Sequence, residues 1–147
     1  MKRVLLPLLL ALCLTLCACG ASPQATAYTD DSMIARTDDV YSMNDWQHEL
    51  SGDTLRCAMK GAAGTLTIWS MEAEADTAVS VDCTLTVTAG RAKLVHIAPD
   101  GAVTTSTLRF TAPPGENRVK LVMAESTSLD MALRFDQGTL RDGTGPS

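Results

Sequence analysis

The sequence predicts an all-β protein, a single antiparallel β-sandwich or jelly-roll-like domain of about seven to eight strands. Three observations carry this prediction. Apolar residues recur with a period of two in several stretches, the repeat of a strand with one buried face. The stretches are short and follow one another about every ten residues. No long segment between them has the 3.6-residue period of an amphipathic helix.

The strands are legible to different degrees. From Leu129 to Asp136 every odd residue is large and apolar, while the even ones are charged or small. Val79–Thr88 repeats the pattern with Ser, Asp and Thr on the outward row, which suits a solvated sheet face. Leu55, Cys57 and Met59 alternate with polar or small neighbours in a third strand. Thr65–Met71 has two readings: Leu66 and Ile68 inward with Thr67 and Trp69 outward, or burial on both faces. Lys93–Ile97 leads into Ala98-Pro99-Asp100-Gly101, where proline fixes φ and glycine takes the left-handed position of a hairpin turn. The returning strand is Ala102–Phe110. Pro113-Pro114-Gly115 breaks the chain and Arg118–Met123 resumes it, with an eighth strand near Val40–Trp46. Met71–Ala78 reads as a strand end, an acidic turn and the next strand.

These strands occupy residues 39–136, the length of one domain. Its aromatic residues are Tyr41, Trp46, Trp69, Phe110 and Phe135, so aliphatic residues and methionine must fill most of the core. Residues 19–38 are small, polar and weakly patterned, which predicts a flexible linker, with docking of Tyr28 and Met33-Ile34 on the domain as the alternative. Residues 137–147 contain three glycines and one proline and are expected to form a disordered tail.

Ahead of the linker, Lys2 and Arg3 precede an apolar stretch from Val4 to Leu16 and then small residues. This is the layout of a secretory signal peptide, too short for a permanent span of about 20 residues. Leu16-Cys17-Ala18-Cys19 resembles the lipobox of bacterial lipoproteins. The resemblance implies a signal peptide over residues 1–18, cleavage after Ala18, and a diacylglyceryl or triacyl lipid on Cys19. Cys13 and Cys17 fit worse, because each would put a leucine at the small-residue position. It also implies an extracytoplasmic location on the cell membrane. Loss of Lys2 and Arg3 leaves ten basic residues against 17 acidic ones, a net charge of −7. Such a domain is repelled by nucleic acid and by anionic lipid, so no nucleic-acid partner is expected and the acyl chains must supply the hold on the membrane.

A looser resemblance covers about half of the chain. Ile68-Trp69, Ala89-Gly90-Arg91-Ala92-Lys93-Leu94-Val95 and Gly115-Glu116-Asn117-Arg118-Val119-Lys120-Leu121-Val122 look like segments of small secreted β-sandwich lipoproteins of Gram-positive gut bacteria. It implies a fold and a location and brings no activity.

Few residues suggest chemistry. Cys57 and Cys83 both fall on apolar strand phases and form a candidate disulfide closing a loop of about 26 residues, worth about 3 kcal/mol; two buried free thiols are the alternative. His48 lies near Asp38, Asp39 and Asp53, but without the ligand spacing of a calcium loop. His96 is isolated from any second zinc ligand. Nucleophile elbows and phosphate-binding glycine loops are absent from the sequence. No catalytic residue, metal or other cofactor is therefore expected. Trp46 and Trp69 are the candidate ligand contacts, since aromatics on a sandwich face stack on sugars or anchor proteins; plugging the core is the alternative for both. The reading that results is a non-catalytic module binding a protein or glycan of the envelope or host. A structural component of the envelope and a small hydrolase are the rivals.

Overall fold

The structure, a computed structural model, describes residues 22–105 and 108–143. The expected signal peptide and Cys19 lie outside the described residues, as do residues 144–147. Two single-turn helices, α1 (Pro23–Thr26) and α2 (Asp31–Ile34), precede nine strands. These are β1 (Val40–Ser42), β2 (Asp45–Ser51), β3 (Thr54–Ala73), β4 (Thr77–Ala89) and β5 (Ala92–Ile97). β6 (Val103–Thr105), β7 (Arg109–Ala112), β8 (Gly115–Phe135) and β9 (Thr139–Leu140) complete the set. All strand pairs are antiparallel, and the fold is the all-β, sandwich-like class that the period-two pattern predicts.

The architecture follows from two very long strands, β3 and β8, paired along nearly their whole length. Their first and second halves have different neighbours. The start of β3 and the end of β8 are flanked by β2 and β4. The end of β3 and the start of β8 are flanked by β1, β9 and β5, with β6 beyond β5. Trp69 and Phe135 show how the halves are related. Trp69 pairs with Val119, and Phe135 lies sixteen residues further along β8, about 50 Å away on a straight strand. Their rings nevertheless stack with centroids 4.9 Å apart. The sheet therefore folds over on itself.

The fold-over is built into the chain at irregular positions. Register shifts fall between Met59 and Gly64 of β3, where Gly61 and Gly64 have φ of 59° and 106°. A side chain at Gly64 would collide with the backbone of Val40 and Tyr41. On β8 the bend falls at Ser126, whose φ is 58°. Bulges of this kind bend and twist a strand without ending it. The stretches 54–60 and 65–71 are thus one strand, as are 118–123 and 129–135.

The core lies between the two halves. Leu55, Cys57 and Met59 meet Leu129, Met131 and Leu133 from one half, and Leu66, Val119, Leu121 and Met123 from the other. A further shift between Thr67 and Trp69 explains the fate of Trp69. The extra residue returns it to the face of Leu66, so Trp69 is 0% exposed. The second reading of this stretch, burial on both faces, is what the structure has.

The second half is buried on its outer face as well. Residues 22–38, expected to form a flexible linker, are packed across it as a strap. Ile34 inserts among Val95, Ile97 and Val122, with Tyr28 beside them, and Tyr28 also lies beneath Arg91 and Lys93. Arg118 donates to the carbonyls of Ala35 and Arg36. Lys120, 0% exposed, donates to the carbonyls of Arg36 and Asp38 and pairs with Asp39 at 3.1 Å. A polar, weakly patterned segment is held because its carbonyls meet one buried and one half-buried cation, Lys120 and Arg118. Residues 137–143 are likewise part of the fold: Gln137 O accepts from Trp69 Nε1 at 2.7 Å, and β9 pairs with β3. Residues 137–143 are therefore not the disordered tail that the sequence predicts.

Candidate functional site

The strap leaves one broad sheet face open, the outer face of β2, β3, β8 and β4. Cross-strand partners share a face, so the register defines two rows here. One is Glu49–Arg56–Ala132–Thr84 and the other Gln47–Ala58–Asp130–Thr86. Ala58 and Ala132 are too small to fill the surface between the longer side chains. The result is a trough of about 490 Å³ lined by all eight of these residues and rimmed by His48. Its floor is apolar. Its walls combine a guanidinium, two carboxylates, an amide and two hydroxyls, and so offer donors and acceptors side by side.

The sequence marked the outward row of β4 as a polar strand face but did not single out the trough. The signal that identifies it is the register, which brings two alanines from different strands together. A larger cleft of about 650 Å³ lies where the strap meets the C-terminal segment. Most of its charged side chains are already bonded within the fold: Asp38 to Arg36, Asp39 to Lys120, Arg118 to the strap carbonyls, and Arg141 to Ser70. We read that cleft as a seam between the two chain ends.

The residues predicted from sequence are placed elsewhere. Trp69 is shut in by Phe110 and Phe135 and is a core residue, not a ligand contact. Trp46 packs on the same core, edge-on to His48 at 5.2 Å and tilted against Tyr41 at 6.2 Å. Its Nε1 is buried without a hydrogen-bond partner, and it takes no part in the trough. Both tryptophans therefore serve a domain that is short of aromatics.

Cys57 and Cys83 both face the core, but they are free thiols. Cys57 pairs with Met131 and Cys83 with Leu133, so β8 runs between them. Two strand spacings amount to about 9.6 Å, beyond the Cα separation of about 7 Å that a disulfide tolerates. Inward direction was legible in the sequence and adjacency was not. Burial pushes the Cys57 thiol up to about 11 and raises that of Cys83, opposite to the shift that activates a nucleophilic cysteine.

His96 is buried against Phe110, with ring centroids 4.3 Å apart. Its Nε2 lies 2.9 Å from Asn117 Oδ1. The Asn117 amide nitrogen donates to the carbonyls of Pro113 and Gly115, which leaves Oδ1 as the acceptor and makes His96 Nε2 the donor. Burial lowers the His96 pKa, with the Asn117 bond opposing. The carboxylates near His48 in sequence do not converge on it. Asp38 pairs with Arg36, Asp39 with Lys120 and Asp53 with Arg134.

No protein-family model, curated protein or solved structure matches the chain.

Proposed function

We propose that the chain is a lipoprotein held on the extracytoplasmic face of the cell membrane through Cys19. In this reading its β-sandwich is a non-catalytic module that binds a glycan or protein of the envelope or host in the trough over Ala58 and Ala132. The observation that carries the proposal is the covering of one half of the sheet by the strap and the opening of the other into a polar trough. Close alternation of Gln47, Glu49, Arg56, Thr84, Thr86 and Asp130 suits a ligand rich in hydroxyl groups, each of which donates and accepts.

Two measurements test it. Cys19→Ala should abolish metabolic labelling with palmitate and release the protein from the membrane; continued labelling overturns the anchor. Ala132→Tyr fills the trough from its floor without touching the core. It should eliminate binding on an envelope-glycan array while leaving the unfolding midpoint within a few degrees. Undiminished binding by that variant overturns the trough as the site.

One observation favours a second reading, an assembly role in the envelope. From Asp82 to Ala89, β4 pairs with β8 on one side, and no described strand pairs with it on the other. Cys83–Thr88 carries no charge, and an open uncharged edge is a template for strand addition. Co-purification of an envelope complex that is lost in Thr88→Pro, on the same edge but outside the trough, would support this reading over ligand binding.

A further inference from the structure

We infer that the bent end of the sandwich rests against the bilayer, so that the lipid surface is a docking partner of the domain and not merely its address. The inference builds on the lipid anchor proposed above. Only three residue steps separate Cys19 from Ser22, where the packed strap begins, and such a span reaches at most about 11 Å. An anchor followed by a long linker would let the domain tumble; here residues 22–38 are part of the body.

The strap also determines which end lies near the anchor. Ser22 caps α1 by accepting from Ala25 N. Two residues beyond α1, the Tyr28 ring lies 4.8 Å from the Arg91 guanidinium and 4.9 Å from Lys93 Nζ. Arg91 belongs to the bend: its carbonyl accepts from Ala124 N and its amide donates to Thr127 Oγ1. The strap therefore starts beside the fold-over of β8, where Arg91 and Lys93 outnumber the exposed Glu125 at one end of an acidic chain. These cations suit lipid phosphates. The turn around Ala75 lies at the opposite end of β3, nine residues from Gly64 to Ala73 and thus about 30 Å from the bend. The trough begins only three to five residues from Gly61 on β3, about 10–16 Å. In this orientation it opens sideways, close to the membrane, and its ligand must itself lie near the bilayer surface.

The test uses the full lipidated chain in phospholipid vesicles, with Glu125→Cys at the bend and Ala75→Cys at the far end. Labelling by a bulky water-soluble maleimide is measured above that of the parent chain, before and after detergent. Glu125→Cys should be protected several-fold in vesicles and released by detergent. Ala75→Cys should react equally in both. An insert of about 20 Gly/Ser residues after Cys19, with an r.m.s. length of about 25 Å, should partly release Glu125→Cys. Equal reactivity of the two positions in vesicles, with the acyl mass present on Cys19, overturns the docking alone. Absence of the acyl mass overturns the anchor, and the docking with it.

Discussion

Lys120 and Asp39 meet at 3.1 Å beneath the strap, and the ammonium finds three acceptors for its three protons. The other two are the carbonyls of Arg36 and Asp38. Asp39 in turn accepts from the amide and hydroxyl of Thr67. One buried cation thus joins the strap to the centre of the sheet. Burial pushes its pKa below the usual lysine range, and Asp39 pulls the other way.

The two partners should respond unequally to removal. Asp39→Ala leaves a fully buried charge without its counter-ion and is expected to cost about 3–5 kcal/mol. Lys120→Met leaves a carboxylate that water can reach and two unmet carbonyls, an expected cost of about 1–2 kcal/mol. Urea unfolding of both variants checks the order, and limited trypsin cleavage at Arg36 reports release of the strap. Equal stabilities for both variants and the parent would show that the pair does not hold the strap.

Trp69→Ala should remove about 3–5 kcal/mol, as expected for truncating a large buried aromatic. Trp69→Phe should keep much of the packing but lose the bond to Gln137, freeing the C-terminal segment. Hydrogen exchange at Leu140 and Arg141 is the readout, since Arg141 N donates to Ile68 O. If neither variant raises exchange there, the indole is not what holds β9.

Both thiols should be alkylated when the protein is unfolded without a reductant. In the native protein, half-exposed Cys83 should react before buried Cys57, whose thiol burial raises to about 11. A mass increase of about 2 Da on reduction, two hydrogens for one S–S bond, would contradict the strand order that separates the two cysteines.

His96 gives the domain a definite pH response. Its folded-state pKa is depressed, so the folded protein favours the neutral ring. The stabilisation is fully present above the unfolded value of about 6.5 and is lost as pH falls through the lower folded pKa. Stability should therefore decline on acidification below about pH 6.5. His96→Gln retains a side-chain donor and should flatten that decline relative to the parent. An unchanged slope would assign the acid sensitivity to other groups.

Strand identity was largely legible in the sequence because a half-buried strand writes its period directly into it. The hairpin at Pro99-Asp100-Gly101 was legible too: Gly101 has φ of 84° and its amide donates to Ala98 O. Strand ends were less clear. The stretches Leu55–Met59 and Thr65–Met71 read as two strands but are one, bulged at Gly61 and Gly64, while the Ala102–Phe110 stretch divides into β6 and β7. The site was the least legible part, because Ala58 and Ala132 are unremarkable until register places them in neighbouring rows.

By itself, then, the sequence determined the class of the fold and most of the strand faces. Each is a local property, readable from neighbours a few residues apart. Only the tertiary structure decided that Cys57 and Cys83 stand on either side of β8, that a bulge turns Trp69 inward, and that residues 22–38 are a strap. Those outcomes depend on pairings between residues tens of positions apart. Lys120 and the backbone carbonyls it bonds stand more than eighty positions from each other, and no local pattern encodes their meeting.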